Sequence, residues 1–162
     1  MPLRCVTDTN VWIDLHVGGL LGAVFELDAA WMIPDLLLAR ELDDPPGERL
    51  ISWGLRVLSL DGGEIERVAT LGRRYPRPSQ VDLATLVLAG REDAALVTGD
   101  GALREAADEE GIEVHGTIWV VDQLVESDIV ASQEAARGLE LMLDAERRLP
   151  KGIVRSRIER WA

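Results

Sequence analysis

Apolar residues along this chain come in short blocks, and most blocks are closed by a glycine, a proline or an acid. "LRCVTD" predicts a first strand that ends on Asp8. "NVWIDLHV" predicts a short helix stopped at Gly18-Gly19, and "LLGAVFEL" a second. "AWMIP" predicts strand two, and "DLLLARELDD" a helix reaching to Pro45-Pro46-Gly47. "RLISWGL" reads as helical and "RVLSLD" as an edge strand closed by Gly62-Gly63. In "EIERVATLGRRY" the residues Ile65, Val68 and Leu71 share one helical face, and "RRYPRPSQ" reads as a loop. "SQVDLATLVLAGRED" predicts a strongly apolar helix and "AALVTGD" the clearest strand. "ALREAADEEG" predicts a helix stopped at Gly111, followed by a short strand in "IEVHGT".

Strands alternating with helices predict an α/β domain with a mainly parallel sheet, because parallel strands need helical crossovers. In such sheets functional groups collect at the carboxyl ends of the strands. Asp8 and Asp100 both fall where a strand ends and a helix begins. After Thr117 the pattern turns helical: "IWVVDQLVE", "SQEAARGLELMLDAERRL" and "KGIVRSRIERWA". In the last of these Val154, Ile158 and Trp161 form one stripe, with Arg155, Arg157 and Arg160 off it. We expect residues 1–124 to be the working domain and 125–162 a helical extension packed on it.

Each acid at these junctions has a plain structural reading. Asp8 and Asp100 suit helix N-caps, and Ser79 with Asp82 has the spacing of a capping box. Glu41 suits a solvated helix acid. Together they say more. Asp82 sits in "VDLATLVLA" and Glu41 follows "LLLAR", where a charge is costly unless solvated, paired or bound to metal. Arg40 is the one cation in those elements, so four acids point to a shared cation site.

The ordered set "TDTN", "LLLAREL", "SQVDLATLVLA" and "LVTGDGAL" resembles the PIN domain, the nuclease fold of many toxin–antitoxin ribonucleases of the VapC kind. The resemblance covers about residues 3–122, and "GIEVHGTIWVVDQLV" with the helical tail is similar to one bacterial and archaeal branch. It implies a three-layer α/β/α sandwich with a mainly parallel central sheet and added C-terminal helices. It implies catalytic acids at Asp8, Glu41, Asp82 and Asp100, with Asp8, Asp82 and Asp100 as metal ligands. Asn10, Thr98 and Ser79 take supporting places. Gly99 stands where many relatives carry a further polar or acidic residue, which leaves a second metal position open. The implied cofactor is Mg²⁺ or Mn²⁺, whose hard character suits carboxylate oxygens. The implied partners are an RNA substrate, a small antitoxin and a second copy in a homodimer. A non-catalytic or housekeeping RNA-processing protein is the alternative.

Composition narrows these readings. The chain has 162 residues and a formal net charge of -12, which argues against a broad nucleic-acid-binding surface. Arg73, Arg74 and Arg77, just ahead of Asp82, are therefore candidates to line the cleft and hold phosphate. A single cysteine, Cys5, excludes an internal disulfide and fits a reducing cytoplasm. No apolar run is long enough to span a bilayer. Lys151 is the only lysine, which disfavours phosphatases of the haloacid-dehalogenase type, with their lysine at a later strand end. His16 and His115 lack paired ligand spacing. Trp12, Trp31 and Trp119 read as packing residues, with Trp161 the tryptophan most suited to base stacking.

Overall fold

The computed structural model describes residues 2–162. Five short strands, β1 (Leu3–Thr7), β2 (Ala29–Pro34), β3 (Arg56–Leu58), β4 (Ala95–Val97) and β5 (Val114–His115), form one sheet. Their order is β3-β2-β1-β4-β5, and every pairing is parallel. The chain thus starts at the centre, builds outward to β3, then crosses back to place β4 on the other side of β1. That reversal brings the ends of β1 and β4 side by side, with Thr7 in register with Val97. A crevice at the carboxyl ends of the strands follows from this order.

The crossovers are α1 (Thr9–Val17), α2 (Leu21–Val24), α3 (Asp35–Arg40), α4 (Gly47–Trp53), α5 (Gly62–Arg74), α6 (Gln80–Arg91) and α7 (Gly101–Glu109). They cover both faces of the sheet, which accounts for two separate apolar clusters. One holds Cys5, Trp12, Ile33 and Val97. The other holds Val6, Met32, Leu88 and Leu96. Neighbouring strand residues such as Cys5 and Val6 point to opposite clusters, as a pleated strand buried on both sides requires. Helices α8 (Thr117–Glu126), α9 (Ser132–Asp144) and α10 (Lys151–Trp161) pack into the first cluster through Leu124, Leu139 and Val154. Gly18 and Gly138 meet at the α1–α9 contact, where a Cβ on Gly138 would lie 2.9 Å from the Gly18 carbonyl oxygen. Only a residue without a side chain lets these two helices approach so closely.

Several elements depart from the sequence pattern. Helix α3 ends at Arg40, well before Pro45, because Glu41 leaves helical geometry (φ -128, ψ -31) and Leu42 turns into the core. Gly62-Gly63 do not close β3; they begin α5, held by the Asp61–Glu64 capping box. Ile65 is 56% exposed, so the buried face of α5 is Val68 and Leu71 alone. Arg73 and Arg74 lie in the last turn of α5, not in the following loop. Trp161 is buried against the core and leaves no face for a base. No described helix is long and apolar enough to cross a membrane.

Candidate active site

The apolar run of β1 ends at Asp8 because two structural demands meet there. Asp8 is the N-cap of α1, and its Oδ1 accepts the Val11 N–H at 3.1 Å. Its Oδ2 accepts a short hydrogen bond from the Thr98 hydroxyl at the end of β4. The same hydroxyl oxygen accepts the Asp100 N–H at 3.1 Å. Asp100 in turn caps α7, with Oδ1 on the Leu103 N–H at 3.0 Å. Thr98 therefore joins two acids that stand 92 positions apart in the chain, across the adjacent ends of β1 and β4.

Asp82 enters from α6. Ser79 caps that helix, donates no charge, and exchanges backbone-to-side-chain bonds with Asp82 at 2.9 and 3.0 Å. The carboxylate is thereby held at the first turn, close enough to act electrostatically on Asp8. Glu41, at the end of α3, accepts the Thr9 hydroxyl at 3.0 Å, so it stands beside the residue that follows Asp8. The structure thus brings all four acids to one end of the sheet, with Ser79 and Thr98 holding two of them. Each aspartate is fixed by helix-capping bonds, so capping and site-building are the same geometry here.

Electrostatically the centre is Asp8, which is 5% exposed. Burial pushes its pKa up from 3.8 to about 6. The Thr98 and Val11 hydrogen bonds oppose this, and the Asp82 and Asp14 carboxylates add to it. Among the described residues none of Asp8, Glu41, Asp82 or Asp100 forms a salt bridge. A cation is what this donor set lacks. No three acids among the described residues close into a ready-made cage. The set fits an ion of the Mg²⁺ type, which keeps several waters and takes only one or two carboxylates directly.

Some residues here have little signal in the sequence. Asp14 lies four positions after Asn10 on α1, so the two share a helical face. That spacing was the available clue. Asp14 is 5% exposed and accepts bonds from the Thr117 hydroxyl at 2.7 Å and from Arg147 Nε at 2.6 Å. Arg147 also reaches Asn10 Oδ1 at 3.3 Å. A cavity of about 490 Å³ opens beside them, lined by Asn10, Asp14, Asp100, Arg147 and Arg148. Nothing in the local pattern of "AERRLP" brings it there from 133 positions away. Arg73, Arg74 and Arg77 do not line this cavity. Arg74 pairs with Glu110 at 3.4 Å, Arg77 with Glu105 at 3.4 Å, and Arg73 contacts Thr70. Cys5 is fully buried, and burial pushes its thiol up to about 12, so it is no nucleophile.

The family model DUF3368, described as a PIN domain, matches residues 4–162. This chain belongs to the PIN domain family. The match runs beyond the four acid motifs and takes in α8–α10, so the helical tail is part of what defines this PIN domain. PIN domains are generally nucleases that use divalent metal ions. Among solved structures, a PilT N-terminus domain protein from the hyperthermophilic archaeon Sulfolobus solfataricus P2 is similar, with a TM-score of 0.51 at 12% identity. The alignment covers 75% of this chain and 94% of that one, and at this identity it speaks for the PIN-like fold alone. None of the curated proteins compared with the chain matches it.

Proposed function

We propose that this PIN domain is a divalent-metal-dependent endoribonuclease. The observation that carries the reading is a buried carboxylate, Asp8, gathered at one strand end with Glu41, Asp82 and Asp100, none of them in a salt bridge among the described residues. Asp8, Asp82 and Asp100 would hold Mg²⁺ or Mn²⁺, directly or through water. The bound ion would supply Lewis acidity at the scissile phosphate and a lowered pKa for its water. The protein does the rest. Val11 N–H and Thr98 hold the Asp8 carboxylate in one orientation, and Leu103 N–H does the same for Asp100. Glu41, oriented by Thr9, would align the attacking water and take its proton. Water oxygen bonds to phosphorus, the P–O3′ bond breaks, and the leaving oxygen gains a proton. The products carry a 5′ phosphate and a 3′ hydroxyl.

We place this activity in the toxin of a toxin–antitoxin pair, on the likeness of its motifs to toxin ribonucleases. Growth arrest on expression alone, relieved by a short neighbouring open reading frame, tests that placement. A homodimer is proposed on the same likeness, and sedimentation would test it. The chemistry is tested by incubating purified protein with single-stranded RNA and Mg²⁺ or Mn²⁺, beside EDTA and Asp100→Asn controls. Metal-dependent cutting lost in the variant is the expected result. No cutting, with no carboxylate-dependent metal binding, overturns the reading and leaves a binding module.

A further inference from the structure

The acid cavity does not stand alone. A second cavity, of about 520 Å³, lies against it, and the two share Gly99 and Arg148 in their walls. Both fall in the range of ligand-binding clefts, roughly 300–1,000 Å³. Their chemistry differs. The first sets Asp14, Asp100 and Glu146 beside Arg147 and Arg148; the second is mainly basic and apolar, with Arg104, Arg148 and Arg157 against the single acid Asp122, and with Trp119.

The arginines of the second cavity are not equivalent. Arg157 is bound at both nitrogens by Asp122, at 2.8 and 3.0 Å, so its charge is largely matched. Arg104 spends one N–H on the Thr98 carbonyl oxygen at 2.9 Å and forms no salt bridge among the described residues. Arg148 forms no salt bridge among the described residues and stands exposed at the junction of the two cavities. Beyond it, Trp119 is half-buried and stacked on His115, with ring centroids 4.1 Å apart and planes within 11°. Ile153, 48% exposed, continues the wall with an apolar surface. Unmatched guanidinium, aromatic platform and apolar wall in one groove are the parts that bind a single strand: charge for the backbone, a π-face for a base.

Gly99 makes the junction passable. It has no positive φ, and a Cβ built there meets no atom within 4 Å. The fold does not require glycine at this position, and a side chain there would project into the passage between the cavities. Charge distribution agrees. Residues 147–162 carry six basic side chains and one acid in a chain whose net charge is -12. That stretch is folded so that Arg147 and Arg148 line the acid cavity and Arg157 lines the one beside it.

We propose that the groove formed by Arg104, Arg148 and the His115–Trp119 stack is the track that feeds a single-stranded polynucleotide past Gly99 to the acids. This assignment rests on the nuclease reading for what happens at the end of the track. Arg148 is a positioning residue that holds a phosphate next to the scissile one, and Trp119 stacks a base of the same strand.

Binding and cutting are measured separately. Fluorescence anisotropy with labelled single-stranded RNA and DNA ten-mers in EDTA reads the track without cleavage. Arg148→Glu should weaken binding about tenfold. Arg155→Glu, an equal charge change on α10 outside the groove, should weaken it less than about twofold. Arg148→Ala should lower the slope of log affinity against log salt by about 0.7, one phosphate contact on a single strand. Trp119→Leu should cost about tenfold or more, as expected for a lost base stack. Gly99→Leu should weaken binding with an unchanged melting temperature. In the cleavage assay, Arg148→Glu should raise KM and leave kcat in place. Equal losses for Arg148→Glu and Arg155→Glu, or no binding of either ten-mer by the wild type, would overturn the track. Strand binding that needs Arg148 and Trp119 without any metal-dependent cutting would keep the track and remove the nuclease. Preference for RNA over DNA names the strand.

Discussion

Two acidic places in this molecule are built from the same kinds of residue and behave in opposite ways. On the α5–α7 face, Glu110 takes Arg67 at 2.6 Å, Arg74 at 3.4 Å and the Tyr75 hydroxyl at 2.7 Å. Its charge is answered by two guanidinium groups, and the network ties α5 to the end of α7. At the strand ends, Asp8 is more deeply buried, yet its partners are a hydroxyl and a backbone N–H. The carboxylates around it, Asp82 and Asp14, make its charge harder to hold. A carboxylate that serves only the fold has its own cation. One that is buried without a cation of its own is shaped for something that arrives from outside.

The sharpest way to break this comparison is to neutralise acids on the unmatched side. Asp8→Asn or Asp100→Asn should lower metal-dependent cleavage by on the order of a thousandfold, about 4 kcal/mol of barrier. Asparagine still caps a helix, so circular dichroism should be unchanged. Cleavage that survives in both variants would place the chemistry elsewhere.

Asp14 tests the matched case inside the same pocket. Arg147→Ala leaves a buried carboxylate without its cation and should cost about 3 kcal/mol in urea unfolding. Asp14→Asn in the same background should recover much of that loss. If Arg147→Ala is neutral, Asp14 belongs with the unmatched acids instead.

Titration comes next. The folded pKa of Asp8, about 6, lies above its ordinary 3.8. The folded state therefore binds the proton more tightly, so this group's contribution to stability is complete below pH 3.8 and disappears as pH rises through about 6. In EDTA, wild type should lose about 2 kcal/mol relative to Asp8→Asn between pH 4 and 7. At neutral pH the metal-free variant should thus be the more stable protein. Added Mg²⁺ should narrow the gap by stabilising wild type alone. A pH-independent difference would mean that Asp8 is not a desolvated charge. The smallest effect belongs to the matched face. Glu110→Gln should cost about 1 kcal/mol, since Arg67 and Arg74 are largely exposed, and should leave cleavage untouched.

The parts of this site that were legible in the sequence are those written in local pattern. Apolar runs that stop on an acid located Asp8 and Asp100, because a strand end and a helix cap are each signalled within a few residues. The spacing of Ser79 and Asp82 announced a capping box that is present in full. What was hidden depends on contacts between distant segments. Helix α3 stops at Arg40 because of where Leu42 is buried, and no breaker residue marks that point. Arg74 and Arg77 looked free because their partners, Glu110 and Glu105, lie on a helix some thirty positions later. Trp161 looked available because its stripe was visible and the surface that covers it was not. Arg147 carried no signal whatever, since its role is set by Asp14 at the other end of the chain.

Those separations also say something about time. The bond that joins β1 to β4 at the site spans 90 residues, and the Asp14–Arg147 pair spans 133. Contacts that close such long loops bear the largest entropic cost and tend to form after local helices and turns. The acid pocket should therefore be among the last features to assemble as the chain folds. A half-folded chain would have its helices, and much of its sheet, before it had a place where phosphate and carboxylate meet.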